Sequence, residues 1–155
     1  MKLDAIDIKL LGLLQQNAEA QISELAEKVG LSTTPCWRRV QRMKEAGVII
    51  GQVTLVDRQA VNVPVTVFVG IRTSHHNQKW FEVFRATVEA IPEVVEFYRM
   101  SGEVDYLLRV VVPDIAAYDA VYKRLTAGVE LSDVSSSFAM EELKYTTALP
   151  LGYVS

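Results

Sequence analysis

The apolar residues of this chain change their period at Pro64. Before it they recur every three to four positions, as on one face of a helix. After it they alternate, as on one face of a strand. With 155 residues, half of them apolar, the chain can bury a separate small core on each side of that change. Three regions are therefore expected: a helical head over 1–50, a linker strand and connector over 51–63, and a mixed domain over 64–155.

The head reads as three helices. Asp4 is a good N-cap, with Asp7 three positions on, where a carboxylate can serve the first-turn amides. Ile6, Leu10, Leu13 and Leu14 follow as one stripe. Ile22, Leu25, Ala26 and Val29 form a second, stopped by Gly30. Ser32 is expected to cap a third helix, whose first turn tolerates Pro35 because its amides have no intrahelical partner. Cys36, Val40 and Met43 make its inner face, and Gly47 ends it. A short helix, a Gly-containing turn and a longer helix make a helix-turn-helix. Residues 48–57 read as a strand.

The third helix turns its polar side outward. Ser32, Thr33 and Thr34 place short hydroxyls at its start, where base edges can be approached. Trp37, Arg38, Arg39, Gln41, Arg42 and Lys44 follow, with the arginines spaced to reach phosphates or guanine edges. The net charge of −3 argues against nucleic acid, but its distribution does not. Residues 1–58 hold eight basic and seven acidic side chains, and the remainder eight and twelve. Arg38, Arg39, Arg42 and Lys44 form a run that no acid interrupts, and phosphate contacts are local at physiological salt. Double-stranded DNA is the expected partner. The alternative is a helical head that binds a protein. Trp37 reads either as a core residue or as a phosphate- or sugar-contacting one.

Beyond Pro64 the expected order is β-α-β-β-α-β. Val65, Val67, Val69 and Ile71 alternate with Thr66, Phe68, Gly70 and Arg72. A helix carries Trp80, Phe81, Phe84 and Val88 on one face. Val94 to Met100 and Tyr106 to Val112 are strands about a turn at Gly102. A second helix is capped by Asp114, with Ile115, Tyr118, Tyr122 and Leu125 inward, and Val134 to Lys144 is the last strand. Strand-helix-strand, twice over, closes as an antiparallel sheet with both helices on one face, an α+β ferredoxin-like arrangement. Its other face would present Val, Phe, Tyr and Leu to solvent, so a dimer with two sheets packed face to face is expected.

Chemistry-bearing residues are few. Cys36 has basic neighbours at a helix start, which favours a reactive thiol, but its spacing places it inward as a small hydrophobe. A lone cysteine permits no internal disulfide and fits a reducing compartment. His75 and His76 are adjacent in an extended segment, point apart, and do not chelate. The segment Met100-Ser101-Gly102-Glu103-Val104-Asp105-Tyr106 is either a plain hairpin or a site whose free amides and carboxylates hold the two ends of a zwitterion. Ser135, Ser136 and Ser137 are weak strand formers, lining a polar pocket or an edge. No nucleophile-base set, glycine-rich phosphate loop or metal spacing is present, so no enzyme, cofactor or metal is expected. No apolar run spans a membrane. The opening MKLDAIDIKL has no signal-peptide pattern, and a cytoplasmic location is expected.

Four segments carry a family resemblance over essentially the whole chain: LDAIDIKLLGLLQQNA, ELAEKVGLSTTPCWRRVQRMKEAGVI, SGEVDYLLRVVVPD and SSSFAMEELKYTTALPL. Together they resemble the Lrp/AsnC (feast/famine) transcriptional regulators, whose head is a winged-type helix-turn-helix. The resemblance implies dimers built through the α/β domain, often assembled four at a time into octamers. It also implies an amino-acid effector held between dimers at the Gly102–Tyr106 hairpin and the Ser135–Ser137 region. TTPCW, the stretch from Ser74 to Trp80, GEVDYLLRV and SDVSSSFAMEELKYTTALP are similar to the cysteine-responsive branch, which makes L-cysteine the first candidate effector. Two departures stand out. Gly128-Val129-Glu130-Leu131 occupies a place where relatives often have Pro-Gly, which shortens a loop. Gln21 replaces a frequent serine cap, which should weaken the start of the second helix.

Overall fold

The computed structural model describes residues 1–154. The chain forms two compact units. One comprises residues 1–54 with the tail from Lys144, and the other Leu55–Leu143. The tail was expected to close the second domain, but it clusters with the first unit instead.

In the first unit, α1 (Ala5–Gln16), α2 (Ile22–Val29) and α3 (Thr33–Glu45) pack around Leu10, Leu11, Leu25, Ala26, Cys36, Val40 and Met43. Asp4 starts α1 as expected: its carboxylate accepts from the amides of Ile6 and Asp7, both at 2.9 Å, and Asp7 returns the bond to the Asp4 amide. Gly30 closes α2 in the left-handed region at φ 71°. Gln21 gives α2 no side-chain cap, as its chemistry implied. Ser32 stands at the N-cap of α3, yet its side chain caps nothing.

The buried face of α1 is Asp7, Leu10 and Leu11, a rotation from the expected stripe. Ile6, Leu13 and Leu14 flank it, partly buried. The tail returns along α1. The Leu149 amide donates to Gln15 Oε1 at 2.6 Å, and Gln15 Nε2 donates back to the Leu149 carbonyl. Leu151 packs on the cluster, its Cδ1 3.9 Å from where a side chain on Gly12 would begin.

Residues 48–57 do not form the expected strand. A strand exists through its ladder partner, and none of the four strands pairs with this segment. Ile49 packs against the helical cluster, but Val48, Ile50, Val53, Leu55 and Val56 are exposed, Ile50 to 96 %.

The second unit has the expected βαββαβ order: β1 (Val65–Arg72), α4 (Gln78–Glu89), β2 (Val94–Arg99), β3 (Tyr106–Val112), α5 (Ile115–Ala127) and β4 (Asp133–Phe138). All pairings are antiparallel, in the order β2-β3-β1-β4. Val67, Val69 and Ile71 of β1 and Leu108, Val110 and Val112 of β3 meet Phe84, Val88, Val121 and Leu125 of the helices in one core.

Two expectations fail locally. On α5 the buried set is Tyr118, Val121 and Leu125, while Ile115 and Tyr122 are exposed. The i, i+3, i+7 row faces the sheet, and the i+4 position lies just off it. The last strand stops at Phe138 rather than Lys144. Phe138 pairs with Val67, and Ala139 donates to the Thr66 carbonyl. Beyond that, β1 has almost no backbone left to pair with.

The sheet face away from the helices carries Phe68, Tyr98, Leu107 and Val111, crossed by the Arg109–Glu96 ion pair at 3.0 Å. Among the described residues, no helix is long and apolar enough to cross a membrane.

Candidate DNA-reading face and effector site

Helix α3 is sorted by its spacing. Cys36, Val40 and Met43 are buried. Ser32, Thr33, Thr34, Trp37, Arg38, Arg42 and Lys44 are exposed, and Arg39 and Gln41 are half-buried. The exposed side thus carries hydroxyls at its start, an indole in the middle and cations along its length. That is the donor order a major groove and its phosphates can accept. Trp37, half exposed, belongs to this outer face and not to the core.

The four cations of the run are not equivalent. Arg39 reaches back to α1, with Nη1 2.6 Å from Asp4 Oδ2 and 2.8 Å from Asp7 Oδ1. Arg42 places Nη2 2.9 Å from Asp7 Oδ2. The Asp4 carboxyl is held below its usual range, first by the Asp7 amide and then by Arg39. Arg38 and Lys44 have no acidic partner within salt-bridge distance among the described residues. Burial pushes the Cys36 thiol up, partly offset by Arg39. A fully buried, protonated thiol fits the small-hydrophobe reading.

On the second unit, three elements converge at Gly70. It pairs with Ser135 of β4 and Leu107 of β3. A Cβ on Gly70 would stand 3.0 Å from Val104 Cγ1 and 3.9 Å from the Ser135 carbonyl. The hairpin therefore folds over β1 at the one position without a side chain.

Gly102, at φ 125°, makes its tip. The Met100 amide donates to the Asp105 carbonyl, and the Asp105 amide to the Ile71 carbonyl, both at 2.8 Å. The Asp105 carboxylate accepts from the Thr73 amide at 2.8 Å, so one expected ammonium ligand already anchors the hairpin. Glu103 is solvent-exposed, 3.6 Å from Arg72. Ser135 and Ser137, paired with Gly70 and Phe68, lie on the outer face with Val104. Ser136 turns inward and hydrogen-bonds the Tyr118 hydroxyl.

Tyr106 does not join this group. It is buried on the helical side, its ring against Phe81, Phe84 and Phe97. Alternation along β3 sends it to the face opposite Leu107.

Sequence reasoning named the hairpin and the serines but missed what joins them. Gly70 was read only as an alternating position, though a glycine inside a β-branched strand signals a close approach. Arg72 likewise follows from register with Asp133. Substituting Gly70→Val should destabilise the second unit by about 1–2 kcal/mol: overpacking against Val104 outweighs the gain from removing a strand glycine. Denaturant unfolding should show the loss, and Val104→Ala in the same chain should recover part of it. An unaltered midpoint in Gly70→Val would mean the hairpin is not seated on β1.

His75 and His76 form no chelating pair. His75 Nε2 lies 3.3 Å from Glu130 Oε2, and its ring stacks on Trp80. No group of three His, Cys, Asp or Glu is placed to hold a metal among the described residues.

A helix-turn-helix with an exposed polar and cationic second helix, joined to a ferredoxin-like sheet, defines a DNA-binding transcription regulator with a ligand-binding domain. Comparison with known proteins bears this out. Residues 66–149 match the model of the Lrp/AsnC ligand binding domain, and residues 3–50 that of a winged helix-turn-helix DNA-binding domain. The chain belongs to the Lrp/AsnC family of transcriptional regulators.

It is 51 % identical over 150 residues to the glutamate uptake regulatory protein of Zymomonas mobilis, covering 97 % of this chain and 92 % of that one. It is also 51 % identical over 150 residues to the transcriptional activator DecR of Escherichia coli, covering 96 % and 99 %. An AsnC-family regulator from Agrobacterium tumefaciens superposes with a TM-score of 0.95 at 60 % identity, covering 99 % and 100 %. A Neisseria meningitidis regulator solved with L-methionine superposes at 0.94 and 34 % identity, covering 99 % and 100 %. DecR and the Agrobacterium and Neisseria proteins are regulators of transcription, and this chain is a regulator and not an enzyme.

Proposed function

We propose that α3 reads operator DNA through Thr33, Thr34, Trp37, Arg38 and Gln41. The free edge of Arg42 joins Arg38 at base edges, Ser32 and Lys44 meet phosphates, and Arg39 serves as a bracket to α1. An amino-acid effector then binds on the outer sheet face around the Gly70 junction, where Met100, Ser101, Gly102, Glu103, Val104, Asp105, Ser135 and Ser137 are gathered. The junction itself carries this reading: two sequence-distant segments, each with unpaired polar groups, meet over a residue with no side chain.

L-Cysteine is the proposed effector, supported by the similarity of the Ser74–Trp80 and GEVDYLLRV stretches to cysteine-responsive regulators. The L-methionine complex of the Neisseria relative supports the amino-acid class. Copies of the chain pair through the outer face bearing Phe68, Tyr98, Leu107 and Val111, and dimers assemble to an octamer. Effector binding between dimers shifts that assembly and so the spacing of the DNA-reading heads. Such coupling is reciprocal, so DNA alters effector affinity by the same factor.

A thermal-shift series with each of the twenty amino acids, under reducing conditions, tests the effector. Ligand at a hundred times its Kd stabilises by about 2.7 kcal/mol, so cysteine should raise Tm by several degrees. A shift with methionine or glutamate alone would replace cysteine. A flat response to all twenty would remove the effector site.

A further inference from the structure

Asp7 is the one acidic side chain among the described residues that is completely buried. Its oxygens are fully engaged: Oδ1 accepts from Arg39, and Oδ2 from Arg42 and from the Asp4 amide. Stability alone is a poor reason for this arrangement. Burying a carboxylate and its partners costs desolvation comparable to what the ion pairs return, and apolar side chains of the same volume do as well or better. Leu10 and Leu11 beside it show that this face of α1 accepts apolar residues.

What the arrangement supplies is geometry. Two long, flexible cations of α3 are fixed from a different helix by one rigid carboxylate. Arg42 lies four positions after Arg38, on the same side of α3. Its Nη2 is tied to Asp7 while the side chain stays 53 % exposed, leaving the rest of the guanidinium free toward solvent.

We propose that Asp7 is a positioning residue for DNA recognition. From α1 it holds Arg42 as a preset donor beside Arg38, so that operator sequence is discriminated and not merely bound. This rests on α3 being the reading helix. Asp7 touches no DNA and acts through Arg42.

The test uses the full-length protein, a duplex selected by it from a random pool, and an unrelated duplex of equal length. Asp7→Asn should lower affinity for the selected duplex about tenfold, the worth of one base-reading contact. Affinity for the unrelated duplex should stay level or rise, with a steeper dependence on log salt, because a cation has been released to roam over phosphates.

Asp7→Asn leaves Arg42 without its carboxylate and Arg39 with Asp4 alone, and can unfold the head. The second variant is therefore Asp7→Leu with Arg39→Met, which restores an apolar fill and leaves Arg42 unanchored. Arg39→Met alone, with the Asp7–Arg42 contact intact, is its reference and should discriminate within about threefold of the wild type, less than one base contact is worth. The double variant should fold and still lose discrimination relative to that reference. Parallel loss on both duplexes, or unchanged discrimination in the double variant, overturns the proposal. Arg38→Ala separates the two levels: wild-type binding there overturns the reading of α3 itself, and the role of Asp7 with it.

Discussion

Replacing Arg38 with alanine should lower affinity for a selected operator duplex by about 10- to 100-fold per reading head, with both melting transitions unchanged. Arg38 is exposed on α3 and lies between Thr34 and Arg42 on the same side of the helix. Unlike Arg39 and Arg42, it has no acidic partner within salt-bridge distance among the described residues, so its five donors are uncommitted. Removing it takes a DNA contact and no fold contact.

Arg39→Ala should behave differently. It strips Asp4 and Asp7 of a shared cation, so the head should lose stability along with affinity. Fluorescence anisotropy at several salt concentrations, beside a thermal melt, distinguishes the two. If Arg38 reads a base, sequence preference relaxes; if it meets a phosphate, the salt slope falls by about one. Wild-type binding by Arg38→Ala would remove α3 as the reading element.

The contrast between these two arginines marks the limit of what the chain's residues disclosed. Local pattern was enough wherever burial follows a period. The Asp4 capping box, the αL stop at Gly30, the inward Cys36–Val40–Met43 row and the β3 limits at Tyr106 and Val112 all follow from neighbours in sequence. Contacts between distant segments were not legible. Asp7 read as a first-turn carboxylate, and nothing local says that it lies beneath Arg39 and Arg42. Gly70 read as one beat of an alternation, because Val104 and Ser135 reach it only through the sheet register.

The two false strand assignments share a cause. Residues 48–57 have strand-like composition and residues 139–144 directly continue β4, but β structure is a property of pairs. Within one chain neither segment has a ladder to join. Tyr106 failed for the opposite reason. It belongs to the hairpin in sequence, yet the two-residue period of β3 commits its ring to the core.

Phe84→Ala carries the largest expected effect on stability. Phe84 is fully buried at the centre of the second unit's aromatic cluster. Its ring centroid lies 4.9 Å from Trp80, 5.1 Å from Tyr106 and 5.5 Å edge-on from Phe97. Truncation leaves a cavity walled by α4, β2 and β3, at a cost of about 3–5 kcal/mol. That is a large share of the ~5–15 kcal/mol that holds a domain of this size together.

The two hydrophobic clusters share no residue. The melt should therefore show two transitions, and only that of the second unit should fall, by at least about 10 °C. The two tryptophans report separately: Trp80 stacks on Phe84, whereas Trp37 stands exposed on α3. In a Trp37→Phe background, fluorescence follows the second unit alone. Far-ultraviolet dichroism at the same temperatures should show the head's helices intact until their own transition. A single transition that moves as a whole would mean that the two cores melt as one cooperative unit. That cooperativity would need a linkage stronger than the two chain crossings between the units.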